Sequence, residues 1–388
     1  MESTRSRARP SLLRQLNERE VLSAIQQRGP LSRAEIVRHT GISGPTVTRA
    51  VSALIDDKLL EEGDSRQATL GRPGKVLRLA QTVSVLGAVV GARQCELVSA
   101  GLDGRIDEER VRQFPTPARY GDLVKAFVQH ARQIVDGRKV PVLGLGICIP
   151  GLLNRREKRT VFSPNVHQTD GRRLGEDVQD RLQLETAILQ ENHALCLAEQ
   201  MYGAARGVAD FAMLDISEGL GVGVVEGGRI IAGHSGLAGE LGHITAVLNG
   251  RPCGCGNHGC LETIATDTAL ATLVSEKLGK KLSLDQLIPL VQSGRLQVDA
   301  EIEQVLQYLA VCLASVINIF NPSKVFIYGQ LLDVQADLFD RLLELTRWRA
   351  LAPSLADCEI IRARGSKRLG AIAGIIHRLT TGREEPLE

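Results

Sequence analysis

The chain has 388 residues, a formal net charge of +2 at pH 7 and few aromatic side chains. This length exceeds what one ordinary hydrophobic core organises, so two or three domains are expected. We find no apolar run long enough to span a membrane and no hydrophobic stretch after the basic N-terminus, which argues against a membrane protein and a secretory signal. The eight cysteines lack the regular spacing of a disulfide framework, which favours a reducing cytoplasm.

Positive charge is concentrated at the start of the chain. Residues 1–80 hold 14 Lys or Arg and 9 Asp or Glu, a net charge of +5, whereas the remainder has a net charge of −3. A basic terminal module on a mildly acidic body suggests a polyanionic partner for the first part only.

Three short helices are predicted in this basic module. The first is indicated by an apolar stripe of Leu16, Val21, Leu22 and Ile25. Ser32 and Glu35 have the spacing of a capping box at the start of a second helix, which ends at Gly41.

The third predicted helix begins at Ser43 or Gly44, with Pro45 in its first turn, where proline is tolerated. Two short helices joined by a glycine-containing turn form a helix-turn-helix, whose second helix meets base edges near its N-terminus. The predicted DNA-contacting residues are Ser43, Thr46, Thr48 and Arg49. The alternative is a three-helix module that binds another protein.

A β-hairpin wing is predicted after the third helix. Leu59 and Leu60 begin one strand, residues 63–70 turn, and the apolar residues between Val76 and Leu79 return. Arg72, in a Gly-Arg-Pro-Gly stretch, is predicted to enter a minor groove, where arginine is favoured.

After Ala80 the pattern changes to an α/β type. Residues 84–90, 95–102 and 142–149 read as buried strands, and residues 120–136 have the apolar spacing of a helix. This order of elements indicates α/β layers.

The stretch from Glu240 to Glu262 contains four potential metal ligands, His243, Cys253, Cys255 and Cys260. Three thiolates and one imidazole form an accepted tetrahedral set for structural Zn²⁺, and the intervening glycines permit the tight turns needed. The alternative is three buried free cysteines beside a surface histidine. His258 is expected to be a solvated loop residue or a group outside the ligand set.

Two motifs resemble a known family. The spacing ExGH followed by CxCGxxGCxE resembles the ROK family (repressors, open reading frames and kinases), and residues 31–60 resemble the winged helix of its repressors. The resemblance implies a winged helix-turn-helix over residues 1–80 and, over 81–388, a two-lobed actin-like ATPase or sugar-kinase fold with a sugar cleft between the lobes. It also implies that Glu240, His243 and Glu262 contact sugar hydroxyls, with His243 shared between zinc and sugar.

Further sugar contacts follow from the same resemblance. Asn165 matches the family's Pro-Asn turn, and an ungapped count places Glu191 at the position of the catalytic aspartate. His193 is either a neighbouring ligand contact or a helix-face histidine bonded to backbone or water.

Loss of kinase activity is predicted from two positions. A phosphoryl-transferring relative would carry Asp-x-Gly-Gly-Thr where this chain has Val89-Val90-Gly91-Ala92-Arg93, and valine cannot coordinate Mg²⁺. Glu191, as a base, would be one methylene out of place. The second glycine-rich stretch, residues 217–223, resembles the family's second phosphate loop, although glycines also serve tight packing between a strand and a turn.

These observations predict a sugar-responsive DNA-binding regulator, a repressor of carbohydrate uptake or catabolism genes, with one structural zinc per chain. Its expected partners are double-stranded operator DNA and a sugar or sugar-phosphate effector, and the expected assembly is a homodimer or homotetramer. The hypothesis is that sugar closes the lobes and changes the spacing of the recognition helices. The alternatives are a sugar kinase with a DNA-binding appendage and a regulator controlled by a protein partner.

Overall fold

The protein is described here by a computed structural model that covers residues 10–63, 75–137, 140–154 and 156–381. The chain divides into two compact units. Among the described residues, the first unit comprises those up to Ile149, then Arg173–Leu189 and residues 368–381. The second unit comprises Pro150–Arg172 and Gln190–Lys367.

The N-terminal module folds as three helices and a small sheet. Its elements are α1 (Pro10–Arg28), β1 (Leu31–Ser32), α2 (Arg33–Thr40), α3 (Gly44–Asp56), β2 (Leu60–Gly63) and β3 (Val76–Leu79). The strands are antiparallel in the order β1-β3-β2. The predicted helices and returning strand are therefore confirmed, whereas Arg72 and residues 64–70 of the predicted turn lie outside the described residues.

Local signals explain how this module begins and ends its helices. Ser32 Oγ accepts a hydrogen bond from Glu35 N (3.3 Å) while Ser32 N donates to Glu35 Oε2 (2.7 Å), so the predicted capping box is confirmed. Helix α2 ends at Gly41, whose φ of 69° suits glycine.

The prediction that Leu16 belongs to the buried stripe of α1 is wrong. Leu16 is 41% exposed, whereas Val21 is wholly buried.

The rest of the chain alternates strands and helices. The strands are β4 (Ser84–Val90), β5 (Gln94–Ala100), β6 (Arg112–Pro115), β7 (Val142–Ile149), β8 (Leu152–Asn154), β9 (Arg159–Phe162), β10 (Glu185–Gln190), β11 (Phe211–Asp215), β12 (Gly221–Glu226), β13 (Arg229–Ile230), β14 (Lys324–Tyr328) and β15 (Glu359–Arg362). The helices are α4 (Tyr120–Asp136), α5 (Leu174–Leu182), α6 (Glu191–Tyr202), α7 (Asp267–Leu278), α8 (Leu284–Gln292), α9 (Asp299–Phe320), α10 (Leu338–Arg347), α11 (Ala352–Ala356) and α12 (Lys367–Thr381). The α/β class predicted from the buried runs is confirmed.

The first unit contains a five-stranded sheet in the order β10-β7-β4-β5-β6. Helix α12 packs very close to it, because a Cβ placed on Gly146 of β7 would lie 1.8 Å from the carbonyl oxygen of Ala371. Gly374, on the same helix, is also tightly packed, because a Cβ there would lie 2.2 Å from Leu189 Cδ1. The small residues of α12 thus serve internal packing.

The second unit contains the sheet β13-β12-β11-β14-β15 and the hairpin β8-β9. Strands β11, β14 and β15 are parallel, so their carboxyl ends lie at one edge of the sheet. Helix α9 is long and apolar enough, by length and composition, to cross a membrane, contrary to the expectation from sequence. Its residues Ile302, Leu306 and Leu313 are wholly buried in the hydrophobic core of this unit, so we interpret it as a core helix.

Candidate functional site

The four predicted metal ligands come together in the second unit. His243 ends a short 3₁₀ turn, and the three cysteines lie on the loop that follows it. Their nearest ligand atoms all lie within 4.8 Å of one another. Gly259, with φ of 71°, is needed in this loop because a Cβ there would lie 1.7 Å from the carbonyl oxygen of Val247.

The distances fit a tetrahedral zinc site. His243 Nδ1 lies 3.7 Å from Cys253 Sγ, and Cys255 Sγ lies 3.7 Å from Cys260 Sγ. Zn–S bonds of about 2.3 Å give a tetrahedral edge of about 3.8 Å, close to both distances. Burial raises the pKa of the Cys253 thiol to about 12, so a cation is needed to hold it as a thiolate. His258 is exposed and lies outside the cluster.

A polar pocket adjoins this cluster, and all of its lining residues belong to the second unit. The lining comprises Pro150, Gly151, Pro164, Asn165, Gln190, Glu191, Asn192, Asp215, Glu218, Gly219, Leu220, Gly221, Glu240, His243 and Glu262. The five predicted sugar contacts are therefore brought together in one pocket. That they contact an effector stays a prediction.

His243 belongs to both the metal cluster and the pocket lining. Its Nδ1 faces Cys253, while its Nε2 lies 3.6 Å from Glu240 Oε2. Glu262 Oε2 accepts a hydrogen bond from Leu220 N (3.1 Å), and Glu240 Oε1 accepts one from Gln190 Nε2 (3.1 Å). A metal on Nδ1 would fix the ring and leave Nε2–H to act as a donor in the pocket.

Sequence reasoning missed a buried charge cluster at the pocket. Lys367 Nζ lies 2.6 Å from Glu191 Oε1, 2.9 Å from Asp215 Oδ2 and 3.1 Å from Ser217 Oγ. Only 10% of the Lys367 side chain and 5% of the Asp215 side chain are exposed. Burial raises the pKa of Glu191 to about 7, with Lys367 opposing the rise and Asp215 adding to it.

A signal for Lys367 was present in the sequence. A lysine in the first turn of a helix interacts unfavourably with the positive end of the helix dipole. A carboxylate nearby would compensate for this repulsion. Asp215 ends strand β11 at the carboxyl edge of the parallel strands, where functional groups of open α/β sheets collect.

The glycine-rich stretch at residues 217–223 has a packing role. A Cβ on Gly221 would lie 2.3 Å from Asn192 Nδ2, and one on Gly223 would lie 2.5 Å from Cys196 Sγ. Strand β12 therefore depends on glycine to approach α6. His193 of α6 is buried and is not among the pocket-lining residues, so the reading of it as a helix histidine is the better supported.

The predicted DNA-contacting residues lie at the start of α3. Ser43, Thr48 and Arg49 are exposed and Thr46 is half-buried. The Ser43 and Thr46 hydroxyls lie 2.9 Å apart, and Thr48 Oγ1 donates to the Gly44 carbonyl oxygen (3.0 Å). The hydroxyls of this surface are thus held in place, whereas the exposed Arg49 can reach outward.

The position that would hold magnesium in a kinase lies at the end of β4. Val89 is half-buried, and Arg93 is exposed in the turn between β4 and β5. Neither residue lines the pocket.

Fold and site together define a class of protein in which a helix-turn-helix precedes an α/β body of the sugar-kinase type. The family model "ROK family" matches residues 85–377, and a "MarR family" model matches residues 15–68. Because the first match spans well over half of the chain, the protein belongs to the ROK family.

Two curated relatives match most of their length. The xylose repressor of Bacillus subtilis is 28% identical over 326 residues, which cover 83% of this chain and 84% of that protein. The transcriptional dual regulator NagC of Escherichia coli is 26% identical over 387 residues, covering 96% and 95%.

Solved structures support the fold. A ROK family transcriptional regulator described as a homologue of the E. coli MLC protein has a TM-score of 0.80 at 24% identity, covering 95% of this chain and 97% of that one. A ROK glucokinase from Streptomyces griseus has a TM-score of 0.65 at 22% identity and covers 75% of this chain and 97% of its own. The winged helix-turn-helix and the actin-like sugar-kinase fold predicted from the sequence are confirmed.

Proposed function

We propose that this protein is a cytoplasmic transcriptional regulator that represses carbohydrate uptake or catabolism genes and responds to a sugar. The observation that carries the proposal is the combination, in one chain, of an exposed recognition helix with a polar pocket anchored on a Cys₃His cluster. The whole-length similarity to relatives named as a xylose repressor and as NagC supports it.

The residues of the pocket suit sugar hydroxyls. Glu240 and Glu262 offer carboxylate acceptors, and Asn165 and the Nε2–H of His243 offer donors. His243, Cys253, Cys255 and Cys260 would hold one zinc ion, which would supply rigidity to the loop between the two glutamates. Buried and mutually fixed polar groups discriminate sugars well, because a missing hydroxyl leaves a site group unpaired.

DNA binding is assigned to residues 1–80 and effector binding to residues 81–388. In a dimer or tetramer, two recognition helices would contact half-sites about one helical turn, or a multiple of it, apart. A sugar can alter DNA affinity only by binding one conformation more tightly than the other. The ligand therefore has to make contacts in the DNA-free state that the DNA-bound state lacks.

We also propose that kinase activity is lost. Val89 and Arg93 occupy positions where a relative that transfers phosphate would need an aspartate and a threonine. Glu191, at the position of the catalytic aspartate, would hold its carboxylate one methylene out of place for a base, and misplacement on that scale lowers the rate strongly. ATP turnover with hexoses in a coupled assay would overturn this part of the proposal.

The effector response is tested on DNA-bound protein. Purified protein bound to its own upstream DNA is titrated with a panel of neutral sugars and their phosphates, and fluorescence anisotropy follows DNA release. We expect at least one compound to weaken DNA binding by about fivefold or more, the range typical of allosteric coupling. DNA binding that no compound alters would exclude a sugar effector and favour control by a protein partner.

Replacing Arg49 by alanine is expected to weaken operator binding by about 1–3 kcal/mol, because an arginine near the start of a recognition helix makes the commonest base contact. The measurement is anisotropy at fixed salt concentration. Arg229→Ala, which removes an exposed arginine from β13, is the matched control. Equal operator affinity of the Arg49 variant and the control would remove α3 from the DNA interface.

A further inference from the structure

The pocket is rich in negative charge. Five carboxylates line it, namely those of Glu191, Asp215, Glu218, Glu240 and Glu262. Among the pocket-lining residues that the structure describes there is no lysine or arginine. A ligand in this pocket therefore meets carboxylate acceptors on several sides and no guanidinium or ammonium group in the lining.

The buried cation beside the pocket, Lys367, is already paired with carboxylates. An ammonium group has three N–H donors, and Lys367 Nζ lies within hydrogen-bonding distance of Glu191, Asp215 and Ser217. It also lies 5.9 Å from the centroid of the Tyr328 ring. A ligand anion would have to compete with two buried carboxylates for this group, which is electrostatically unfavourable.

The N-terminus of α6 provides no anion site either. A helix N-terminus favours negative charge, but Glu191 already supplies a carboxylate in the first turn of α6. Burial raises the pKa of Glu191 to about 7, and the charges of Asp215 and Glu218 add to that rise. An anion at this end of α6 would meet the carboxylates of Glu191, Asp215 and Glu218.

Gln190 gives independent evidence about the ligand. Its side chain is buried, with 4% of the residue exposed, and it lines the pocket. Nε2 donates to Glu240, while Oε1 has no hydrogen-bond partner. A buried acceptor without a partner is costly, so an anion, which brings further acceptor oxygens, is disfavoured at this side of the pocket.

We propose that the effector is an unphosphorylated sugar, whose hydroxyls donate to the carboxylates of Glu240 and Glu262, and that the pocket excludes sugar phosphates by charge repulsion. This proposal rests on the proposed sugar-responsive function and narrows its ligand class. Selectivity of this kind arises from a repulsive element set against the competing ligand. Glu218, the exposed member of the five carboxylates, acts as a specificity-determining residue at this site.

The test compares matched ligand pairs on the full-length protein. Glucose and N-acetylglucosamine are each measured beside their 6-phosphate esters, and xylose beside its 1-phosphate ester, by isothermal titration calorimetry and by release of operator DNA. For the sugar that binds, we expect the phosphate ester to bind about 100-fold more weakly or worse. The difference should shrink as salt is raised, because charge repulsion is screened.

Substitution of Glu218 tests the cause. Glu218→Gln keeps the size of an exposed side chain and removes one charge, so the ratio of the affinity for the sugar to the affinity for its phosphate ester should fall by about tenfold. Glu226→Gln, an exposed glutamate at the end of β12, is the control and should leave the discrimination unchanged.

The outcomes separate this proposal from the function on which it rests. A phosphate ester that binds as tightly as its parent sugar, or more tightly, and releases DNA would overturn the proposed exclusion of sugar phosphates. The sugar-responsive function would still stand. If no sugar of either kind binds or alters DNA affinity, the proposed function fails and this inference fails with it. Unchanged discrimination in the Glu218 variant would remove that residue as its cause.

Discussion

A Cys260→Ser variant is expected to lose its zinc and, with it, the response to sugar. Cys260 is wholly buried, and its Sγ lies 3.7 Å from that of Cys255, so a serine oxygen would replace one thiolate of a set of four. The full ligand set of a structural site binds zinc with about 10–16 kcal/mol in zinc-finger peptides, and a serine hydroxyl in place of one thiolate lowers that free energy. His243 would then be free to turn, and sugar affinity should fall by about tenfold to 100-fold.

Elemental analysis and calorimetry measure these two losses. The matched control is Cys358→Ser, which changes a half-buried cysteine outside the cluster and should retain one zinc per chain and normal sugar affinity. Circular dichroism shows whether the rest of the chain remains folded, as we expect, because the core of the second unit does not include the zinc loop cysteines. A Cys260 variant that keeps a full equivalent of zinc and binds sugar normally would contradict the assignment of the cluster.

Features that depend on neighbouring residues could be predicted from the sequence. The Ser32–Glu35 capping box needs only a spacing of three residues, and strand β4 is predicted directly by its continuous run of apolar residues. The Cys₃His cluster was also predictable, because its loop brings Cys253, Cys255 and Cys260 together within eight residues. The proximity of Asn165 and Glu191 to that loop came from family resemblance, since spacing along the chain does not report a distance in space.

Features that depend on distant parts of the chain were missed or misjudged. Lys367 meets Glu191 across 176 positions. Its place in the first turn of α12 indicates that a carboxylate lies nearby, but no local pattern identifies which one. Leu16 has the spacing of a buried helical residue, yet it lies in the first part of α1, where Leu13 is exposed as well. The missing partner of Gln190 Oε1 is visible only when the atoms around it are known.

A Lys367→Met variant is expected to lose about 3–5 kcal/mol of unfolding free energy, because it leaves Glu191 and Asp215 buried without a cation.

This loss of unfolding free energy should depend on pH. Lys367 lowers the pKa of Glu191, which burial raises to about 7. Without the lysine that pKa rises further, so folding requires a protonated Glu191 over a wider pH range. A carboxyl group whose pKa is raised in the folded state costs stability as pH increases above its unfolded value. The variant should therefore lose more stability at pH 8 than at pH 5.

Denaturant unfolding at both pH values measures the effect. Lys277→Met is the control, because the ion pair of Lys277 with Glu301 is on the surface and such pairs contribute about 0–1 kcal/mol. The double variant Lys367→Met with Glu191→Gln should recover part of the loss, since it removes the unpaired charge together with the cation. A Lys367 variant as stable as the Lys277 control at both pH values would contradict this prediction. It would show that the two buried carboxylates do not depend on this lysine for the stability of the fold.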